Sequence, residues 1–195
     1  AVFAAQGVLG RFWFWTFQYA FAYVSEARLS AALPHLIKGF TVVTSASLAF
    51  WVLGGLGLLA LWITRWEPRA RVVLTGLLVA SFLAVCPGLY FRDHYFILLL
   101  PAVALLCGVA VGSLRHVLER TFSRGVSGAL AVAVLAAAIG LYVTKEENYL
   151  FSIGTRELSR MIYGQNPFIE AVEIGKYIRD RTDENDRIAV LGSEP

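Results

Sequence analysis

Four long apolar stretches separated by short polar ones dominate the chain. They cover residues 40–64, 72–91, 95–114 and 126–144, and none contains Asp, Glu, Lys or Arg. Each approaches or exceeds the ~20 residues a helix needs to cross the hydrocarbon of a bilayer. The pattern predicts a mainly α, polytopic α-helical membrane protein with about four transmembrane helices. Pro87, near the end of the second stretch, predicts a kink or an early stop. Only Arg92, Asp93 and His94 separate the second and third stretches, which predicts a tight antiparallel hairpin.

The flanks read differently. Residues 1–39 crowd Phe12, Trp13, Phe14, Trp15, Phe17, Tyr19, Phe21 and Tyr23 into one segment. This is the composition of an extracytoplasmic segment lying in the membrane interface, re-entrant or amphipathic, leading through Pro34 into the first span. A fifth span over residues 12–24 would be too short. Residues 145–195 turn abruptly polar. Asn166-Pro167 is a helix start, and Phe168, Ala171, Val172, Gly175 and Ile178 form one apolar helical face. A polar turn at 182–186 then leads to Arg187-Ile188-Ala189-Val190-Leu191, which reads as a buried strand. Helix, turn and strand predict the start of an extracytoplasmic α/β domain. The only methionine is Met161 and the sequence stops after that strand, so the reading expects a fragment of a longer protein.

Composition sharpens this picture. In 195 residues, 57% are hydrophobic and 16% charged, and the mean hydropathy is +0.63. A soluble domain of this size needs a more polar exterior. The net charge of +3 sits at the ends of the apolar runs. A basic groove interleaved with stacking aromatics is absent, so nucleic acid is not an expected partner. The connections 65–71 and 115–125 carry Arg65, Arg69, Arg71, Arg115, Arg120 and Arg124, whereas the short loop on the opposite side carries only Arg92. The positive-inside rule then makes the Arg-rich loops cytoplasmic and places both ends of the chain, and the Arg92 loop, outside. Trp62, Trp66, Tyr90 and Tyr95 fit the interfacial aromatic belt. Cys86 and Cys107 lie at depths differing by roughly 10 Å along this hairpin. A disulfide reaches only about 7 Å between Cα atoms, so two free thiols are expected.

Candidate chemistry concentrates at Arg92, Asp93 and His94, flanked by Tyr90 and Tyr95. A guanidinium fork with nearby Tyr hydroxyls at headgroup level suits a lipid phosphate; the plainer alternative is a polar turn in which Arg92 and Asp93 pair. Other clusters read as structure. Glu146 and Glu147 point about 100° apart on a helix. Asp183, Glu184 and Asp186 lack EF-hand spacing. His35, His94 and His116 are scattered and no H-E-x-x-H occurs, so no metal site is expected in this piece. Gly108 and Gly112 have the small-xxx-small spacing of close helix contact, and Gly54, Gly55 and Gly57 raise the same question in the first span. Phosphate-loop, dinucleotide and nucleophile-elbow motifs are absent.

Three stretches carry a family resemblance. YFRDHYFILLLPAVALLCGVAV (residues 90–111) resembles the outer loop and following helix of the GT-C superfamily of membrane glycosyltransferases, in the branch of protein O-mannosyltransferases, aminoarabinose transferases and bacterial lipid-linked-sugar transferases. GRFWFWTFQYAFAYVSE (10–26) resembles their aromatic extracytoplasmic segment, and NPFIEAVEIGKYIRDRTDENDRIAVLGSEP (166–195) the start of their C-terminal extracytoplasmic domain. The resemblance implies a bacterial inner-membrane enzyme that transfers a sugar from a polyprenyl-phosphate donor to a glycan, lipid or protein acceptor at the outer face. In that family the essential acidic residue lies in the first outer loop, so the catalytic residue is expected upstream of residue 1. Carried over position by position, Arg92, His94 and Tyr95 are the candidate donor-phosphate residues. No cofactor is identified, and the use of a divalent metal by the parent protein is left open. The alternative is a transporter, flippase-like or non-catalytic assembly protein, which would show discontinuous helices and ionisable groups within the membrane.

Overall fold

The computed structural model describes residues 2–19, 21–22, 28–64, 66–164 and 166–187. Two compact units result, 1–145 and 146–195. In the first, short helices α1 (Val2–Ala5) and α2 (Leu9–Trp13) precede a π-helical turn, Phe14–Tyr19. Four long helices follow: α3 (Leu29–Ile63), α4 (Pro68–Val85), α5 (Leu100–Leu118, entered through the 3-10 turn Asp93–Leu99) and α6 (Arg124–Lys145). These four segments are long and apolar enough to cross a membrane.

The exterior of the bundle is apolar. Ile63 is 76% exposed, Val72 70% and Leu141 64%, a pattern suited to a hydrocarbon surround rather than water. The buried core is thin, and beyond single buried positions such as Ala102, Val103, Ala131 and Ala138 it gathers into two clusters. Val85, Phe91, Phe96 and Leu99 form one cluster; Leu61, Leu106 and Val109 form the other. The register of contacts makes α3 and α5 parallel neighbours, since Gly54 abuts Val103 and Gly57 abuts Leu106. The Trp62 indole donates to Thr75 Oγ1 at 3.2 Å, so α4 returns antiparallel to α3.

The helix bounds differ from the hydropathy reading most at α3. It starts at Leu29, not at residue 40, and runs through Pro34, so residues 29–39 belong to the first long helix and not to the aromatic segment. At 35 residues it is roughly 52 Å long, well beyond the ~30 Å of a bilayer core. It accommodates this by bending at Ser47, whose φ of −120° and ψ of 28° are non-helical. The cause is local. Thr41, Thr44, Ser45 and Ser47 turn their hydroxyls back onto carbonyls three or four residues earlier, a bonding pattern that bends helices. The other spans shift by a few residues: α4 ends at Val85, before Pro87, and α5 and α6 extend to Leu118 and Lys145.

The glycine pairing also changes. A Cβ on Gly108 would meet open space and one on Gly112 only the Trp66 ring at 3.5 Å. Close approach instead falls on Gly54 and Gly57 of α3. Both cysteines are free, as their depths require.

In the second unit a π-helical turn, Asn148–Ser152, precedes α7 (Thr155–Tyr163) and α8 (Ala171–Arg179). The helix expected from Asn166-Pro167 begins only at Ala171. Gly164, at φ +60°, ends α7, and the Phe168 amide turns back onto the Asn166 carbonyl at 2.9 Å. Among the described residues of this unit there is no strand, so the α/β architecture is not shown; residues 188–191 of the expected strand lie outside the described residues, as does Arg65. Arg160 pairs with Glu170, and the Tyr163 and Phe168 rings meet at 4.5 Å, closing the α7–α8 connection. The Arg160 hydrogen bond holds the Glu170 carboxyl below its usual value of 4.5. A lowered carboxyl stabilises the fold above its ordinary pKa, and that contribution disappears as pH falls through the lowered value. The pair is exposed, so the effect on stability is small. Carbon-13 titration of Glu170 should give a midpoint below 4.5 that rises toward the ordinary value in Arg160→Gln.

Candidate functional site

The connection from α4 to α5 is built from unusual backbone. After Pro87, Gly88, Leu89 and Phe91 adopt φ of +79°, +54° and +44°. Gly88 takes this region freely, whereas a branched Leu and a Phe held there each cost of order 1–3 kcal/mol. Such a conformation persists only where packing fixes it. Phe91 is buried beside Phe96 and Leu99, with Leu36, Val43 and Leu78 around them. The Phe91 carbonyl sits against Gly39 of α3 so closely that a Cβ there would lie 2.0 Å from the oxygen.

Two side chains follow from this anchoring. His35 Nδ1 lies 3.1 Å from the Leu89 carbonyl oxygen; because a carbonyl only accepts, the contact has Nδ1–H as the donor. The His35 and Tyr90 rings are near parallel, 16° apart with centroids 6.4 Å apart. The Arg92 guanidinium lies 5.7 Å from the Tyr90 centroid, within cation–π range. His35, Tyr90 and Arg92 therefore form one connected group at the end of the bundle.

The other two candidates are held separately. His94 is exposed; its Nδ1 lies 3.6 Å from the Asp93 carboxylate, and its ring meets Tyr95 edge-on at 4.6 Å. Tyr95 is half-buried against the Phe91 cluster, and its amide donates to the Arg92 carbonyl at 2.9 Å. Arg92, His94 and Tyr95 thus lie close in sequence along the turn, but Arg92 is tied through Tyr90 to α3 while His94 is tied to its own neighbours. His35 and Gly39 were missed in the sequence. The His35–Leu89 contact spans 54 residues, and the one local signal, a His following Pro34, carries no chemistry.

A second polar feature lies at the bend of α3. The Lys145 ammonium, at the last turn of α6, donates to the Ser45 carbonyl oxygen. Beside it is a cavity of about 530 Å³ lined by Ser47, Phe50, Leu141, Tyr142 and Thr144. An adjoining cavity of about 360 Å³, walled by Trp51, Leu100, Val103 and Cys107, is almost wholly apolar. Among the described residues, no group of three or more His, Cys, Asp or Glu side chains comes together as metal ligands.

Comparison of the chain with protein-family models, with curated proteins and with solved structures finds no match.

Proposed function

We propose that the chain belongs to a membrane glycosyltransferase that moves a sugar from a polyprenyl-phosphate donor to an acceptor, with the Arg92 end of the bundle, read as the extracytoplasmic face, contacting the donor phosphate. One observation supports this reading: left-handed backbone at Leu89 and Phe91 brackets Tyr90, whose ring meets the Arg92 guanidinium at the end of an apolar bundle. Strain of this kind clusters where side chains must be pre-positioned. The Arg92 guanidinium matches phosphate oxygens with two parallel donors. As the sugar leaves, negative charge grows on the polyprenyl phosphate, and a fixed cation stabilises that charge at no reorganisation cost. Tyr95 and His94, next along the turn, supply further donors. The base that activates the acceptor is assigned to none of the described residues.

The test is release of polyprenyl phosphate from labelled polyprenyl-phosphate sugars in membranes expressing the complete open reading frame. Arg92→Ala is expected to lower turnover by about 10²-fold, the usual loss on removing one charge-stabilising donor. Arg92→Lys should recover part of it, because charge is kept and the fork is lost. Unchanged turnover in Arg92→Ala removes the phosphate role.

A second reading is favoured by a different feature. The bend at Ser47, with Lys145 on the Ser45 carbonyl, has the discontinuous-helix character of transporters and flippases. If the chain translocates a lipid-linked sugar, Lys145→Gln abolishes transbilayer movement of a fluorescent polyprenyl-phosphate analogue in proteoliposomes while Arg92→Ala leaves chemistry absent and movement intact.

A further inference from the structure

A cavity of about 470 Å³ opens at the Arg-rich end of the bundle, far along α3 and α5 from Arg92. Its walls include Thr64, Trp66, Glu67, Ser113, His116 and Arg120. The volume falls in the ~300–1,000 Å³ range of small-molecule sites. Its walls are tied together by side-chain contacts. The Trp66 indole N–H donates to Ser113 Oγ at 2.9 Å, and the ring lies over Gly112. Arg71 Nη2 donates to the Thr64 carbonyl at 2.8 Å, and its buried Nε has no partner.

The charge of this end is lopsided. Among the described residues of the two connections, Arg69, Arg71, Arg115, Arg120 and Arg124 stand against Glu67 and Glu119. Arg115 is already paired with Glu119 at 3.0 Å. Arg120, just past the end of α5, and His116, in its last turn, line the cavity together. Next to them the wall turns apolar, with Ile63 76% and Val117 52% exposed. A hollow that has Arg120 and His116 in its lining, sits at an Arg-rich end and is continuous with a lipid-facing apolar surface fits a ligand with an anionic head and hydrocarbon tails. A soluble phosphate ester matches only the first half. Glu67, the one acid in the lining, opposes phosphate but accepts hydrogen bonds from hydroxyls. We propose that this cavity binds the headgroup of phosphatidylglycerol or a similar hydroxylated anionic phospholipid: phosphodiester on Arg120 and His116, headgroup hydroxyl on Glu67, and acyl chains along Ile63 and Val117.

The experiment is native mass spectrometry of the full chain released from nanodiscs of equimolar phosphatidylglycerol and phosphatidylcholine. The wild type should retain one phosphatidylglycerol with about tenfold preference, the scale of a charge-assisted hydrogen bond. The double variant Arg120→Gln, His116→Gln should lose the preference, and Arg115→Gln should keep it. Val117→Trp alters no charge and fills the hollow from an exposed position, so it reports even if the double variant fails to fold, and it too should lose the lipid. Millimolar glycerophosphoglycerol should leave the retained lipid in place. The proposal is overturned if Arg115→Gln and the double variant lose preference equally, if Val117→Trp retains the lipid, or if the soluble ester displaces it.

Discussion

Gly57→Ala is expected to destabilise the detergent-solubilised protein by about 2 kcal/mol or more, while Gly55→Ala two residues away is neutral or stabilising. In a helix interior Ala is favoured over Gly by roughly 1 kcal/mol, so the added methyl is favourable wherever space exists. At Gly55 nothing lies within 4 Å of the new Cβ. At Gly57 the Cβ would fall 1.8 Å from the Leu106 carbonyl oxygen, more than 1 Å inside the ~3.3 Å at which carbon meets a carbonyl oxygen. Both partners are backbone of long helices, so no side chain can swing away. α3 and α5 must separate, and the cluster of Leu61, Leu106 and Val109 loosens with them. Overpacking typically costs 1–3 kcal/mol; a backbone clash belongs at the upper end and outweighs the propensity gain. Gly54→Ala should be intermediate, because its Cβ would meet the Val103 Cγ1 at 3.1 Å, a side-chain atom able to give by a few tenths of an ångström. Thermal melts of the three variants in one detergent measure the order; a Gly57→Ala protein as stable as Gly55→Ala would remove the close α3–α5 contact.

This series also marks what the sequence makes legible. The four spans are readable because some twenty consecutive uncharged, mostly apolar residues have few outcomes other than a membrane helix. The start of α3 is not, because Pro34, His35 and Lys38 interrupt hydropathy where the helix, held by packing of Ala32 and Leu36, continues. The bend at Ser47 had a signal in the hydroxyls at 41, 44, 45 and 47, which compete for helical carbonyls, but hydropathy does not register it. Small-residue spacing pointed to two sets without deciding between them: Gly108 and Gly112 have the motif, whereas Gly54 and Gly57 have the neighbour. Which face of a helix meets another is decided by the partner's backbone, and that information is spread over the whole chain. The candidate site divides in the same way. Arg92, His94 and Tyr95 are contiguous and readable, while His35 and Gly39 reach the turn only through the parallel packing of α3 beside α5.

Gly39→Ala should separate the positioning of that turn from the stability of the bundle. The new Cβ would stand 2.0 Å from the Phe91 carbonyl oxygen and 3.1 Å from the Phe96 ring. Here one partner is a loop, and a loop already carrying two non-glycine residues in the left-handed region. Moving Phe91 releases part of that strain, so the cost to the melting temperature should be smaller than for Gly57→Ala. The cost to geometry should be larger. Displacing Phe91 pulls Leu89 and Tyr90 off His35 and takes Arg92 with them. Two readouts follow. Thiol labelling of Cys86, half-buried where the turn begins, should accelerate about tenfold, equivalent to ~1.4 kcal/mol of easier opening, while buried Cys107 labels at its original rate. Release of polyprenyl phosphate should fall as far as in Arg92→Ala, because a guanidinium displaced by 1 Å loses the same charge stabilisation. Faster Cys86 labelling with undiminished release would leave the strained turn as architecture alone and take the phosphate from Arg92; unchanged labelling would mean that Gly39 does not hold the turn.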